Sequence, residues 1–429
     1  MKFIFADSLD YVDPSFDFIA DRSPAERQPY WDDAYPHEIL GYAPYDGVLV
    51  SKGIVGDHRV KGKYSASQAR RFELVGVRKF LRLDKPEFAN LDIFGDCGAF
   101  TYANEAKPPY CPAEIAEFYD ECGFTHGCSV DHIIFDFNAN QVGTEGGSEA
   151  AKERFDITLQ NADDFRRETL SIGASFVPVG VVQGWSPGSM AQAARQLVAM
   201  GYDYLALGGM VPLKSPDIKL CLEAIREVVP ASTRLHILGF AKADDIDGFH
   251  KFDITSFDTT SPLIRAFKDA KQNYYLPGKD ARLRYFTSIR VPQAIENPRL
   301  QRSIKRGIFR AEELVTMESA ALNSLRAYDR GEADLEETLH NVMVYSAPLA
   351  EEKPYEDCRT SIGMARIAER YRNTLAAKPW QECACSICEH ASVDVIIFRG
   401  SNRNKRRGIH NLAVYKKHIE RLDLKRAVL

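Results

Sequence analysis

The chain has 429 residues, of which 45% are hydrophobic and 27% charged, with a formal net charge of −5. That profile belongs to an ordinary globular protein with material for one large core or two medium ones, and it excludes disordered and low-complexity classes. The acidic balance argues against a chain that coats nucleic acid over its whole surface. No apolar run approaches the roughly 20 residues of a membrane span.

The opening stretch MKFIFADSLDYVDP reaches Asp7 and Asp10 too soon for a secretory leader, so a cytoplasmic protein is expected. Of nine cysteines, six (Cys97, Cys111, Cys122, Cys128, Cys221 and Cys358) are scattered without the pattern of a disulfide framework.

Eight short apolar runs follow one another: FIFADS (3–8), GVLVSKG (47–53), LDIFGDCG (91–98), HIIFDF (132–137), FVPVGVVQG (176–184), YDYLALGG (202–209), RLHILGF (234–240) and ITSFDTT (254–260). Most lack strict polar alternation, as strands buried on both faces do. Helical patterns such as SMAQAARQLVAMG and DIKLCLEAIREVV lie between several of them. Repeated strand–helix units of this number predict an α/β fold, a closed (β/α)8 TIM barrel over residues 1–299. An open doubly wound sheet is the alternative, but the first run carries no glycine-rich phosphate loop.

Several runs end in polar residues or glycine: Asp96, Asp136, Gln183, Gly208 and Gly209, and Asp258. Any one of these could be a helix cap or a turn residue. In a barrel, however, strand C-termini converge on one mouth, and as a set these groups would ring one pocket.

From 300 to 378 the pattern becomes helical, with AEELVTMESAALNSLRAYDRG and SIGMARIAERYRNTLAA separated by the proline-containing SAPLAEEKPYEDC. A helical insertion is expected there, followed over 379–429 by a small subdomain built on QECACSICEH. Cys383, Cys385 and Cys388 could bind a borderline metal if a fourth ligand joined them. A two-thiol redox pair leaves the third cysteine without a role, and no fourth cysteine follows for an iron–sulfur cluster. His410 is the preferred fourth ligand, with His390 and His418 as alternatives. A closed Cys3His site would be structural zinc. The same tail is locally basic, and Arg399, Arg403, Lys405, Arg406 and Arg407 would suit either a polyanion-binding edge or a solvated helix face.

C-x-C-x-x-C followed some two dozen residues later by H-N-L-x-x-Y resembles the zinc motif of the tRNA-guanine transglycosylases. GDCGAF (95–100), VVQG (181–184), ALGGM (206–210) and ITSFDTTSP (254–262) are similar to that superfamily's barrel motifs. The resemblance implies a (β/α)8 barrel with Asp258 as nucleophile and Asp96 as general acid/base. It further implies base contacts from Asp136, Gln183, Gly208, Gly209, Met210 and Phe100.

GGMVPL looks more like relatives that take 7-cyano-7-deazaguanine, and no RNA-binding domain is expected after the zinc motif. The opening FADSLDYVDPSFDF and the GDCGAFTY variant resemble the DpdA-type enzymes, implicated in placing 7-deazaguanines in DNA. The resemblance thus implies guanine exchange in DNA, with the same exchange on tRNA, or a non-catalytic nucleic-acid-binding subunit, as alternatives. By the same analogy a partner ATPase from the modification system is expected.

Overall fold

The computed structural model describes residues 1–7, 9–141, 143–279 and 282–427. Eight parallel strands close on themselves in sequence order: β1 (Lys2–Ala6), β2 (Gly47–Ser51), β3 (Asp92–Asp96), β4 (His126–Cys128), β5 (Val177–Val182), β6 (Tyr204–Leu207), β7 (Arg234–Ile237) and β8 (Ser256–Asp258). Closure is made by β1 against β8, with Ile4 opposite Asp258.

The barrel interior is filled by Ile4, Leu49, Phe94, Cys128, Val179, Val181, Tyr204 and Ala206. Their neighbours Phe3, Val48, Ile93 and Phe257 are buried too. Successive strand residues point to opposite faces, so both faces being dry explains why the runs are apolar without alternation. The expected (β/α)8 barrel is the observed fold.

The fourth run is different. HIIFDF is not a strand; β4 is the three-residue His126–Cys128, and residues 131–138 form an irregular segment beyond its end. Side chains and backbone of neighbouring elements satisfy that segment: Thr158 Oγ1 accepts from the His132 N–H at 3.0 Å, and Arg154 donates to the Ile133 carbonyl at 2.7 Å. Ile133 and Ile134 are buried nonetheless. An apolar run records burial, and burial alone does not separate a strand from a packed loop.

By packing, the chain forms two compact units: Met1–Leu9 with Tyr45–Thr260, and Asp10–Pro44 with the chain from Ser261 onward. These divisions differ from the three successive segments expected from composition. The first unit is the eight-stranded barrel. The second contains the helix Ser261–Lys268, a hairpin of β9 (Tyr274–Pro277) and β10 (Leu283–Phe286), and a short parallel pair, β11 (Ile289–Arg290) with β12 (Ile397–Phe398).

Three long helices of this unit, Ala311–Arg330, Leu335–Ala350 and Ile362–Ala377, bury Leu325, Val342, Met343 and Leu375 in one core with Ile387, Val395 and Ile409. Asp334 and Ser361 cap the second and third by accepting from the N–H groups of Glu337 and Met364. SAPLA does not separate helices: it is the last turn of Leu335–Ala350, with Pro348 inside it. The helix Gly400–Ala427 comes last, and a Cβ at Gly408 would lie 2.8 Å from the Leu263 side chain, so glycine permits that close helix contact. None of the described helices is long and apolar enough to cross a membrane.

Candidate active site

Two of the barrel strands end in carboxylates, and a third carboxylate follows β4. Asp96 is the last residue of β3, Asp258 the last of β8, and Asp131 lies three residues beyond β4. One ligand atom each from Asp96, Cys97 and Asp131 lie within 4.8 Å of one another. Burial, with the charges of Asp131 and Asp258 adding, pushes the Asp96 carboxyl up to about 7. Burial also raises Asp131. Like charges brought together out of water disfavour ionisation, so protons become shareable near neutral pH.

Asp131 is tightly held. Its Oδ1 accepts from the Cys97 thiol at 3.0 Å and its Oδ2 from Gln183 Nε2 at 2.6 Å. The Tyr102 hydroxyl reaches both Cys97 Sγ, at 2.8 Å, and the Asp131 carbonyl, at 3.0 Å. Burial beside Asp131 and Asp96 raises the Cys97 pKa well above its ordinary value, so Cys97 is a thiol donor here. Gln183 is fixed at its other end as well, because its Oε1 accepts from the Ile134 N–H at 3.2 Å.

The glycine pair explains itself against that glutamine. A Cβ at Gly208 would sit 2.2 Å from Gln183 Nε2, and Gly209, at φ +71°, would bring one to 3.4 Å from Gln183 Oε1. Any side chain at Gly208 would displace the amide from Asp131.

Asp258 is 7% exposed. Its Oδ1 accepts from the Gly239 N–H at 2.9 Å and contacts His236 Nε2 at 3.2 Å. Met210 is buried, whereas Phe100 and Phe135 stand exposed with ring centroids 6.2 Å apart.

Asp136 does not join this group. Its side chain is exposed and accepts from Ser148 Oγ at 2.5 Å, beside the start of the helix Glu149–Ser171. Misreading 132–137 as the fourth strand moved the strand-end aspartate five positions along. Asp131, which sequence reasoning passed over, is the one in contact with Gln183. The only signal for it was the polar His-Gly-Cys-Ser stretch preceding it, too short to register as a strand.

In the second unit the three thiols and one imidazole come together as expected. His410 Nδ1 lies 3.5, 3.4 and 3.4 Å from Sγ of Cys383, Cys385 and Cys388. Its Nε2 faces the Tyr275 carbonyl at 2.7 Å, which turns Nδ1 toward the sulfurs. Zinc bonds of about 2.0 Å to nitrogen and about 2.3 Å to sulfur at tetrahedral angles require an N–S separation of about 3.5 Å. The four donors fit that requirement and could hold a metal ion. His390 stacks edge-on against Phe18 instead.

The basic tail is a correction. Arg399, Arg403, Arg406 and Arg407 are buried, not presented to a polyanion. Arg399 pairs with Asp21 and Glu318, and Arg403 with Asp21 and Asp394. Arg406 donates to the Asp13 carbonyl at 2.8 Å, and Arg407 to the carbonyls of Ala266, Val395 and Ile397. Lys405 is half-buried and donates to the Tyr11 carbonyl at 3.2 Å. Burial lowers Arg406 to about 10 and Arg407 to about 9. Composition registered the charge, but the charges are consumed internally.

The chain is 40% identical over 422 residues to a curated protein of Salmonella montevideo named DNA-guanine transglycosylase, a match covering 98% of this chain and 97% of the relative. The chain belongs to the DNA-guanine transglycosylase family. It is therefore a glycosyltransferase of the transglycosylase type, the DpdA-type branch that its motifs resembled. No family model matches the chain.

Proposed function

We propose that this chain exchanges guanine in DNA for a 7-deazaguanine, 7-cyano-7-deazaguanine being the base we favour, through a covalent Asp258–deoxyribosyl intermediate. The observation that carries the reading is the near end-to-end match to a protein named DNA-guanine transglycosylase. The carboxylate cluster supplies the chemistry. Exchange at C1′ is a glycosyl transfer, and a carboxylate can trap the oxocarbenium-like centre while a second group handles protons.

Asp258 attacks C1′; the C1′–N9 bond breaks, its electron pair leaves with guanine, and the departing base takes a proton from Asp96. The incoming base gives its N9 proton to Asp96 and bonds to C1′ from the same side, as the ester electron pair returns to Asp258. An acid/base group serving both halves works best with a pKa near the operating pH, and Asp96 at about 7 meets that condition.

Asp131 and Gln183 are proposed to read the polar edge of the base, taking the place that the sequence reading gave to Asp136. Gly208, Gly209, Met210 and Phe100 would face its flat ring. A buried, fully bonded polar edge rejects a base that leaves it unpaired. The target nucleotide has to leave the stack, which costs about a few kcal/mol when it is paired. A partner ATPase is the class of protein that would open a duplex for it.

Cys383, Cys385, Cys388 and His410 are proposed to hold structural zinc. Its contribution when bound is to tie the cysteine segment to the last helix, apart from the reaction. Metal analysis should find one zinc per chain, lost in Cys388→Ser.

The deciding assay incubates the protein with labelled guanine or 7-cyano-7-deazaguanine and either DNA, single-stranded and duplex, or tRNA. Label should enter DNA; label entering tRNA alone overturns the assignment.

A further inference from the structure

His236 belongs to none of the motifs read from the sequence, yet it is wholly buried inside the barrel on β7. Its ring stacks on Phe94, with centroids 4.8 Å apart and planes inclined by 21°. That packing fixes the plane of the imidazole, and hydrogen bonds fix what each nitrogen does. Nε2 lies 3.2 Å from Asp258 Oδ1, while Nδ1 lies 2.6 Å from Ser256 Oγ. Ser256 Oγ is in turn 2.6 Å from the Tyr204 hydroxyl.

The direction of this chain follows from its ends. A carboxylate only accepts, so Nε2 carries the hydrogen. A neutral imidazole that donates from Nε2 accepts at Nδ1, which makes Ser256 the donor there. Ser256 Oγ then takes the Tyr204 hydrogen. Tyr204, Ser256 and His236 thus form a one-way series of donors ending on one oxygen of Asp258.

That oxygen is doubly occupied. Oδ1 also accepts from the Gly239 N–H at 2.9 Å, while among the described residues no hydrogen bond reaches Oδ2. Asp258 is anchored through its backbone too: its carbonyl accepts from the Phe240 N–H at 2.8 Å.

We infer that His236 is a positioning residue which, with the Gly239 amide, commits Oδ1 of Asp258 to hydrogen bonding and leaves Oδ2 as the oxygen that bonds to C1′. The inference rests on Asp258 being the nucleophile, as proposed above. When Oδ2 is esterified, Oδ1 becomes an ester carbonyl and loses most of its negative charge. Donors on Oδ1 therefore favour the free carboxylate over the ester, and they assist the second half of the exchange, in which the C1′–Oδ2 bond breaks. Without the imidazole donor the ester should persist.

The test compares His236→Leu, which cannot donate, with His236→Gln, whose amide nitrogen can take the place of Nε2. A donor to a charged group contributes roughly 10- to 100-fold, so His236→Leu should lose about that much in kcat with KM for DNA little changed. The fraction of chain recovered as a covalent DNA adduct should rise. His236→Gln should regain most of the rate, and Ser256→Ala, which frees the tautomer, should fall between.

Unchanged kcat in His236→Leu overturns the inference. So does an equal loss in the Leu and Gln variants without adduct accumulation, because that is the signature of packing alone. If His236→Leu does not fold, full activity in Ser256→Ala overturns it. Failure of wild-type protein to exchange any base, or full exchange by Asp258→Asn, would instead strike the underlying reading.

Discussion

The barrel mouth and the C-terminal helix treat buried charge in opposite ways. Around Asp96 and Asp131, carboxylates lie close together with no ion pair to either among the described residues, and Asp96 is pushed up to about 7. From Arg399 to Arg407, buried guanidiniums are answered by Asp21, Asp394 and Glu318 or by backbone carbonyls. Uncompensated like charge costs stability and leaves protons mobile; compensated charge is architecture. The difference supports the mouth as the place of the proposed chemistry, although the helix is the more conspicuously charged stretch of sequence.

The comparison breaks most severely at Asp258. Asp258→Asn should reduce base exchange by at least about 10³-fold, measured by incorporation of labelled base, with the folded state retained. Survival of exchange would remove the nucleophile from the proposal.

Next in size is the architectural side. Arg403→Ala removes the cation that Asp21 and Asp394 share and leaves Arg399 alone on the first and Arg326 on the second; breaking a buried charge network costs up to about 3–5 kcal/mol. Denaturant unfolding should show that loss, and a change below about 1 kcal/mol would mean the network is merely tolerated.

Asp96 gives a smaller effect with a defined sign. Its folded pKa of about 7 lies above the ordinary 3.8, so the folded state binds the proton more tightly than the unfolded chain. The associated stability is complete below about pH 4 and is lost as pH rises through 7. Asp96→Asn removes the titration. Its Tm should exceed that of the wild type at pH 8, and the advantage should shrink as pH falls toward 4. A pH-independent difference would contradict the raised pKa. The same substitution should cost the reaction about 10²–10⁴-fold.

The smallest effect is expected at Lys405. Because its ammonium is engaged by the Tyr11 carbonyl, Lys405→Ala should leave DNA affinity within about twofold and the salt dependence of binding nearly unaltered. A phosphate contact would instead reduce the salt slope by about one. That reduction would return the tail to the nucleic-acid surface.

The residues that were legible in the sequence are those whose place in the fold is written in local spacing. Three cysteines within six positions already share a short segment, His410 stood out as their fourth partner, and the fold brings its Nδ1 to all three sulfurs. Asp96 and Asp258 were legible because a strand followed by an acid puts that acid at the barrel mouth whatever the rest of the chain does. Asp131 was not, because its strand is three residues long, and the apolar run after it imitates a strand.

His236 was invisible for another reason. Its partners Ser256, Asp258 and Phe94 lie 20, 22 and 142 positions away in the sequence and meet it only across the closed barrel. The tail arginines misled because charge density is a local quantity while burial is a global one.

The sequence by itself therefore determined the barrel, the thiol cluster and two of the three carboxylates, since periodicity, spacing and strand ends are properties of neighbours along the chain. Tertiary structure alone decided which aspartate holds Gln183, which oxygen of Asp258 is left free, and that the arginines face inward. Each of these depends on what arrives from a distant strand or helix, and hydrogen bonds and desolvation act only between groups that the fold has brought within a few ångströms.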